Sequence, residues 1–284
     1  MLGTLLLLAA LAAAQTASGA AAGQKPAPAQ APGTVQTETQ EEYAAYKLAD
    51  AAATSEPDMT KAESAVAGFA AKYPHSRVTS LLYETLMHRY QTAGDNVKSL
   101  ATARKVIELD PQAAFAMITA ANVLAETTPE NDPNWYQRYQ ETIKDADTAI
   151  QLIDSGAFRP PKLSPEQINV VKSMAYAAIG SIEFVKTGDT KLTAAELARH
   201  DAAAEQALRK ATELNTLSPD PLLWLRMAVV LDHQKKYAEG LAAANRAVQL
   251  AAGDKDTLAL ATQEQSRLKV LAQQANKPPA SKQR

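Results

Sequence analysis

A helical hairpin recurs along this chain, and it constrains the fold more than any other feature. Leu82-Tyr83, Leu86-Met87 and Tyr90 set apolar side chains at helical spacing, and Gly94-Asp95 then breaks the helix,. A second helix follows, with Ser99, Ala103 and Val106 at its close-packing positions, and Leu109-Asp110-Pro111 stops it. The same order returns from Pro221 to Ala252. Trp224, Met227, Ala228 and Leu231 lie on its first helix, Tyr237, Gly240, Ala244 and Ala247 on its second, and Gly253 ends it,. Between these copies, Met117, Ala120, Ala121 and Leu124 keep the register. The segment Thr127 to Asn134 then interrupts it before a helix that runs to Ala146, Ala149 and Ile150. A further copy runs from Tyr176 through Phe184 to Gly188-Asp189, with an insertion around Lys191 to Asp201 ahead of Ala204, Leu208 and Ala211. Either Gly180 or Ser181 stands at its close-contact position. Upstream, Tyr43 to Ala53 and Met59 to Lys72 form another hairpin. A hairpin of this kind cannot bury its apolar face alone, so neighbours must stack. Ala makes up roughly a fifth of the residues and Gly only 11 of 284, which also favours helix throughout,.

These copies closely resemble tetratricopeptide repeats, helical hairpins of about 34 residues. The resemblance runs over residues 38–275 and is strongest at 80–111 and 221–252. It implies an all-α, right-handed solenoid of about five hairpins, with Asp254 to Ala275 as the C-terminal capping helix,. Met87 stands where the family prefers Gly or Ala, so the helices of that hairpin are expected to sit slightly further apart. Trp224 is expected to be buried where two hairpins meet. The string Ala65-Val66-x-x-Phe69-x-x-x-Tyr73-Pro74-x-Ser76 resembles the first repeats of bacterial envelope proteins, among them outer-membrane assembly lipoproteins and periplasmic cell-division coordinators. The lipobox Cys of the lipoproteins is absent here.

The ends of the chain read differently. Residues 2–14 are an apolar run, shorter than the roughly 20 residues that cross a bilayer,. Small residues follow, with Ala12-Ala13-Ala14 and Ala20-Ala21-Ala22 as candidate cleavage sites, although no Lys or Arg precedes the run,. We expect a signal peptide over 1–22, a Pro/Ala-rich disordered linker over 23–37 and a disordered basic tail over 276–284,. The implied location is the periplasm or the exterior, with no stable membrane insertion after cleavage.

Composition excludes several functions. With 29 Lys+Arg against 31 Asp+Glu, the formal charge of −2 supplies no field for a polyanion, which argues against nucleic acid as a partner,. The absence of Cys removes disulfides, thiolate metal sites and Cys nucleophiles,. The zincin, nucleophile-elbow, P-loop and dinucleotide signatures are all missing,. His75, His88, His200 and His233 are far apart and share no ligand spacing, and Glu183 and Asp189 merely bracket a helix end,. The chain therefore reads as no enzyme, with no cofactor and no metal site.

The resemblance also places candidate binding residues. Repeats of this family present their first helices along a concave groove. Its groove positions fall here on Glu84, His88 and Gln91, then on Ile118, Asn122 and Ala125, and last on Leu225, Val229 and Asp232, with Arg226 beside them. The basic set of the family's carboxylate-clamping members is absent, which argues against capture of a C-terminal carboxylate. Trp135, Tyr136 and Tyr139 open a helix after the insertion. They are either an aromatic contact surface or packing against a neighbouring helix,. The expected function is a non-catalytic exported scaffold that holds a protein or peptide segment in its groove. A module for a small molecule, glycan or peptide fragment, or an accessory subunit of an enzyme encoded elsewhere, is the alternative.

Overall fold

A computed structural model describes residues 37–129, 131–158 and 163–275. The expected signal peptide, the linker up to residue 36 and the basic tail lie outside the described residues. Those described contain no strand and form eleven α-helices: α1 (Gln40–Ser55), α2 (Met59–Lys72), α3 (Thr79–Ala93), α4 (Asn96–Leu109), α5 (Ala114–Thr127), α6 (Trp135–Asp154), α7 (Pro165–Thr187), α8 (Ala194–Leu214), α9 (Pro221–His233), α10 (Tyr237–Leu250) and α11 (Lys255–Ala275). The chain gathers into two compact units, one of residues 1–123 with 148–164 and one of residues 124–147 with 165–284. Helices α5 and α6 contribute to both.

In the first unit α1 packs on α2, α3 packs on α4, and α1 also meets α3. Capping starts the helices where the sequence supplies an acceptor. Thr39 Oγ1 accepts from the Glu42 amide at 3.0 Å and Asp58 Oδ1 from the Thr60 amide at 2.9 Å,. Tyr46, Ala49 and Ala53 of α1 meet Val66 and Phe69 of α2 and Leu82, Leu86 and Tyr90 of α3 in one apolar cluster. Gly94 ends α3 with φ +72°, and Asp95 Oδ1 then accepts from the Lys98 amide at 2.9 Å to start α4. Met87 is fully buried against Ala103, Val106, Ala116 and Ala120. Its bulk lies among small alanines on the helices it meets.

In the second unit α7 packs on α8, α9 on α10, and α11 on both α10 and α9. First helices also touch, α7 against α9. Gly180 resolves the register the sequence leaves open. A Cβ there would lie 2.7 Å from Leu208 Cγ and 3.1 Å from its backbone nitrogen, so only Gly lets α7 come this close to α8,. Gly240 plays the same part on α10, where a Cβ would lie 3.2 Å from the Ala228 carbonyl. Around these contacts Leu208, Leu223, Met227, Leu231, Ala244 and Leu268 form the core. Trp224 is half-buried rather than buried, and it bridges this core and a second cluster around Leu225, Ala247 and Ala261. Helix α11 buries a single stripe, Thr257, Ala261, Glu264 and Leu268, and leaves Leu260 and Val270 exposed. One buried face is what a terminal helix requires.

Candidate functional site

Of the polar residues singled out on α3, Gln91 reaches across to α5 inside the first unit. Glu84, His88 and Gln91 recur at intervals of three and four residues, so they share a face of α3,. His88 Nδ1 lies 3.0 Å from Gln91 Oε1, and Gln91 Nε2 donates to the buried Thr119 Oγ1 of α5 at 3.0 Å. With Gln91 Oε1 as acceptor, Nδ1 of His88 carries the proton and Nε2 is left as an acceptor. Burial holds the His88 imidazole below its usual range, against the hydrogen bond it donates to Gln91, which favours the charged form,. Asn122, half-buried on α5, donates its amide to the Ile118 carbonyl of its own helix at 2.8 Å. Ile118 and Ala125 are fully covered and offer nothing to a ligand.

Glu84 is half-buried, and among the described residues it has no hydrogen bond or ion pair. Burial, helped by the like charge of Asp110, pushes its carboxyl up to about 7,. The sequence marks Glu84 as a candidate but cannot reveal that no cation stands beside it.

In the second unit the candidates are already engaged. Asp232 is buried and ion-paired with Arg267 of α11, which also holds Glu264 at 3.0 Å. Arg226 is half-buried on α9 and donates to Ser181 Oγ of α7. Burial lowers its pKa, against the pull of Glu126 and Asp220. Leu225 is buried and Val229 packs beside it.

The aromatic group divides. Trp135 is buried and stacks on Tyr139 with ring centroids 4.8 Å apart, while Lys186 Nζ sits 4.3 Å from the Trp135 ring centroid. Tyr136 alone is open, at 73% exposure. For Trp135 and Tyr139 packing is therefore the reading that holds, because their rings fill the space beside α7.

Sequence reasoning misses a polar network at this point. The Tyr139 hydroxyl donates to Glu183 Oε1 at 2.5 Å, and His200 Nδ1 lies 2.5 Å from Glu183 Oε2, with Glu183 and His200 both buried. Burial, then the bond to Glu183, drives the Tyr139 phenol well above its usual range. One residue on, Asp201 Oδ1 lies 3.0 Å from His233 Nδ1. Adjacent residues of α8 thus tie it to α7 on one side and to α9 on the other. The available signal is Glu183 itself, a charged residue within the apolar run of α7,. Both its oxygens are satisfied within the protein, so the network holds helices together and offers little to a substrate.

No protein-family model matches this chain, and no curated protein matches it. A depression of about 300 Å³ in the first unit is lined by Tyr83, Leu86, Tyr90 and Ala67. The Glu63–Lys98 ion pair, at 2.7 Å, closes one side of it.

Proposed function

We propose that this chain is an exported, non-catalytic scaffold of tetratricopeptide-repeat type that holds a protein or peptide segment along the first helices of its hairpins. The observation that carries the reading is the identity of two turns. In the register that pairs Tyr83 with Trp224, the Asp95 amide donates to the Tyr90 carbonyl at 2.9 Å and the Lys236 amide to the Leu231 carbonyl at 2.8 Å. Two hairpins with the same turn, together with first helices that touch within each unit, support the reading as an α-solenoid,. The α3–α5 stripe supports the polypeptide as ligand, because hydrogen-bonding groups at helical spacing suit a backbone or polar side chains. The packing of Trp135 and Tyr139 weighs against a small-molecule pocket there.

Photo-crosslinking in the native envelope tests the reading. A photoreactive residue at His88 or Asn122 should give a discrete polypeptide adduct, and one at the exposed Arg104 of α4 should not. Equal labelling at all three positions, or none at His88 and Asn122, would overturn it.

A further inference from the structure

We propose that Glu84 receives a positively charged nitrogen of the bound segment, a Lys ammonium, an Arg guanidinium or a free α-amine. The inference rests on the groove reading above and names the chemistry of its ligand. Other buried carboxylates of the described residues have a donor beside them. Glu183 has Tyr139, Asp201 has His233, and Asp232 has Arg267. Glu84 has none, and the charge that reaches it from the neighbouring elements is the like charge of Asp110.

Its neighbours point the same way. The donors of the stripe are used within the protein: His88 Nδ1 on Gln91, Gln91 Nε2 on Thr119, and Asn122 Nδ2 on Ile118. What remains is a set of acceptors, namely the Glu84 carboxyl, His88 Nε2 and Asn122 Oδ1. Among the described residues no Lys or Arg is paired with any of them, and burial disfavours the charged form of His88. An acceptor set of this kind complements a ligand rich in N–H donors, and a half-buried carboxyl lacking a cation is where its charge is best placed. A cation arriving there favours the ionised carboxyl, so binding releases a proton when the carboxyl carries one.

The experiment uses the full chain and two blocked tripeptides, acetyl-Ala-Lys-Ala-amide and its norleucine counterpart, followed by amide chemical shifts. At pH 8 the Lys peptide should perturb α3 around Glu84 and bind about tenfold more tightly than the norleucine peptide. The preference should shrink at pH 6 and vanish in Glu84→Gln. A preference that survives at pH 6 undiminished, or that survives in Glu84→Gln, would overturn the proposal. The pH arm uses the unaltered protein, so it decides the matter even if the variant misfolds. Equal perturbation of α3 and α5 by both peptides sinks the cation proposal and leaves the groove reading standing. No perturbation of α3 and α5 by either sinks both.

Discussion

Gly94 and Lys235 hold the same place in two hairpins, and both adopt the left-handed backbone, with φ +72° and +59°. Each closes its first helix with the same backbone hydrogen bond, the Gly94 amide to the Gln91 carbonyl and the Lys235 amide to the Asp232 carbonyl. Gly adopts this conformation without steric cost; an L-residue with a Cβ does not. The later hairpin therefore carries backbone strain that the earlier one avoids.

Substitution at the two sites should move stability in opposite directions. Gly94→Ala should destabilise by about 1 kcal/mol, since nothing lies within 4 Å of the added Cβ and only the conformation resists it,. Lys235→Gly should leave stability unchanged or raise it by up to about 1 kcal/mol, because relief of strain is partly offset by a looser unfolded chain. Urea unfolding of both variants checks the contrast. A Gly94→Ala protein as stable as the parent would break it.

Gly180→Ala should destabilise by about 1–3 kcal/mol, because its Cβ would meet the fully buried Leu208 at 2.7 Å,. The paired substitution with Leu208→Ala should cost less than the sum of the two singles, since the shortened side chain clears the clash. A double-mutant cycle by denaturation measures this coupling, and strict additivity would refute the contact.

Glu84 makes stability fall as pH rises. Its folded carboxyl, up from 4.5 to about 7, keeps a proton that the unfolded chain has already lost between those values,. Glu84→Gln should therefore match the parent near pH 4, gain on it through that window, and be more stable at pH 8. The gain should be about 1 kcal/mol or somewhat more, reduced by the partial solvation of the group. Thermal melts across pH 4–8 test the slope, and parallel curves would contradict it.

Tyr139→Phe keeps the stacked ring on Trp135 but removes the donor to the buried Glu183. An unsatisfied buried carboxylate oxygen costs about 1–3 kcal/mol. Glu183→Gln in the same background should recover part of that loss, because a neutral amide is less demanding of donors there. Chemical denaturation of the single and double variants decides it, with no cost for Tyr139→Phe as the contrary result.

Local structure and the recurring hairpin follow from residues adjacent in the chain. Gly94-Asp95 marks a turn because Gly takes the left-handed backbone and Asp caps the next helix. Ser99, Ala103 and Val106 mark a buried face because they recur at helical spacing. These are properties of neighbouring residues, so they can be read along the chain. Features that depend on residues far apart in sequence come instead from how the helices pack. Gly180 rather than Ser181 is the close-contact residue because of where Leu208 lies. Asp232 is occupied because Arg267 reaches it, and Glu183 is satisfied because Tyr139 and His200 converge on it. Glu84 is distinctive for the opposite reason. Side-chain chemistry is encoded locally, but whether a buried charge finds a partner depends on which helices pack beside it, and among the described residues no helix brings Glu84 a cation.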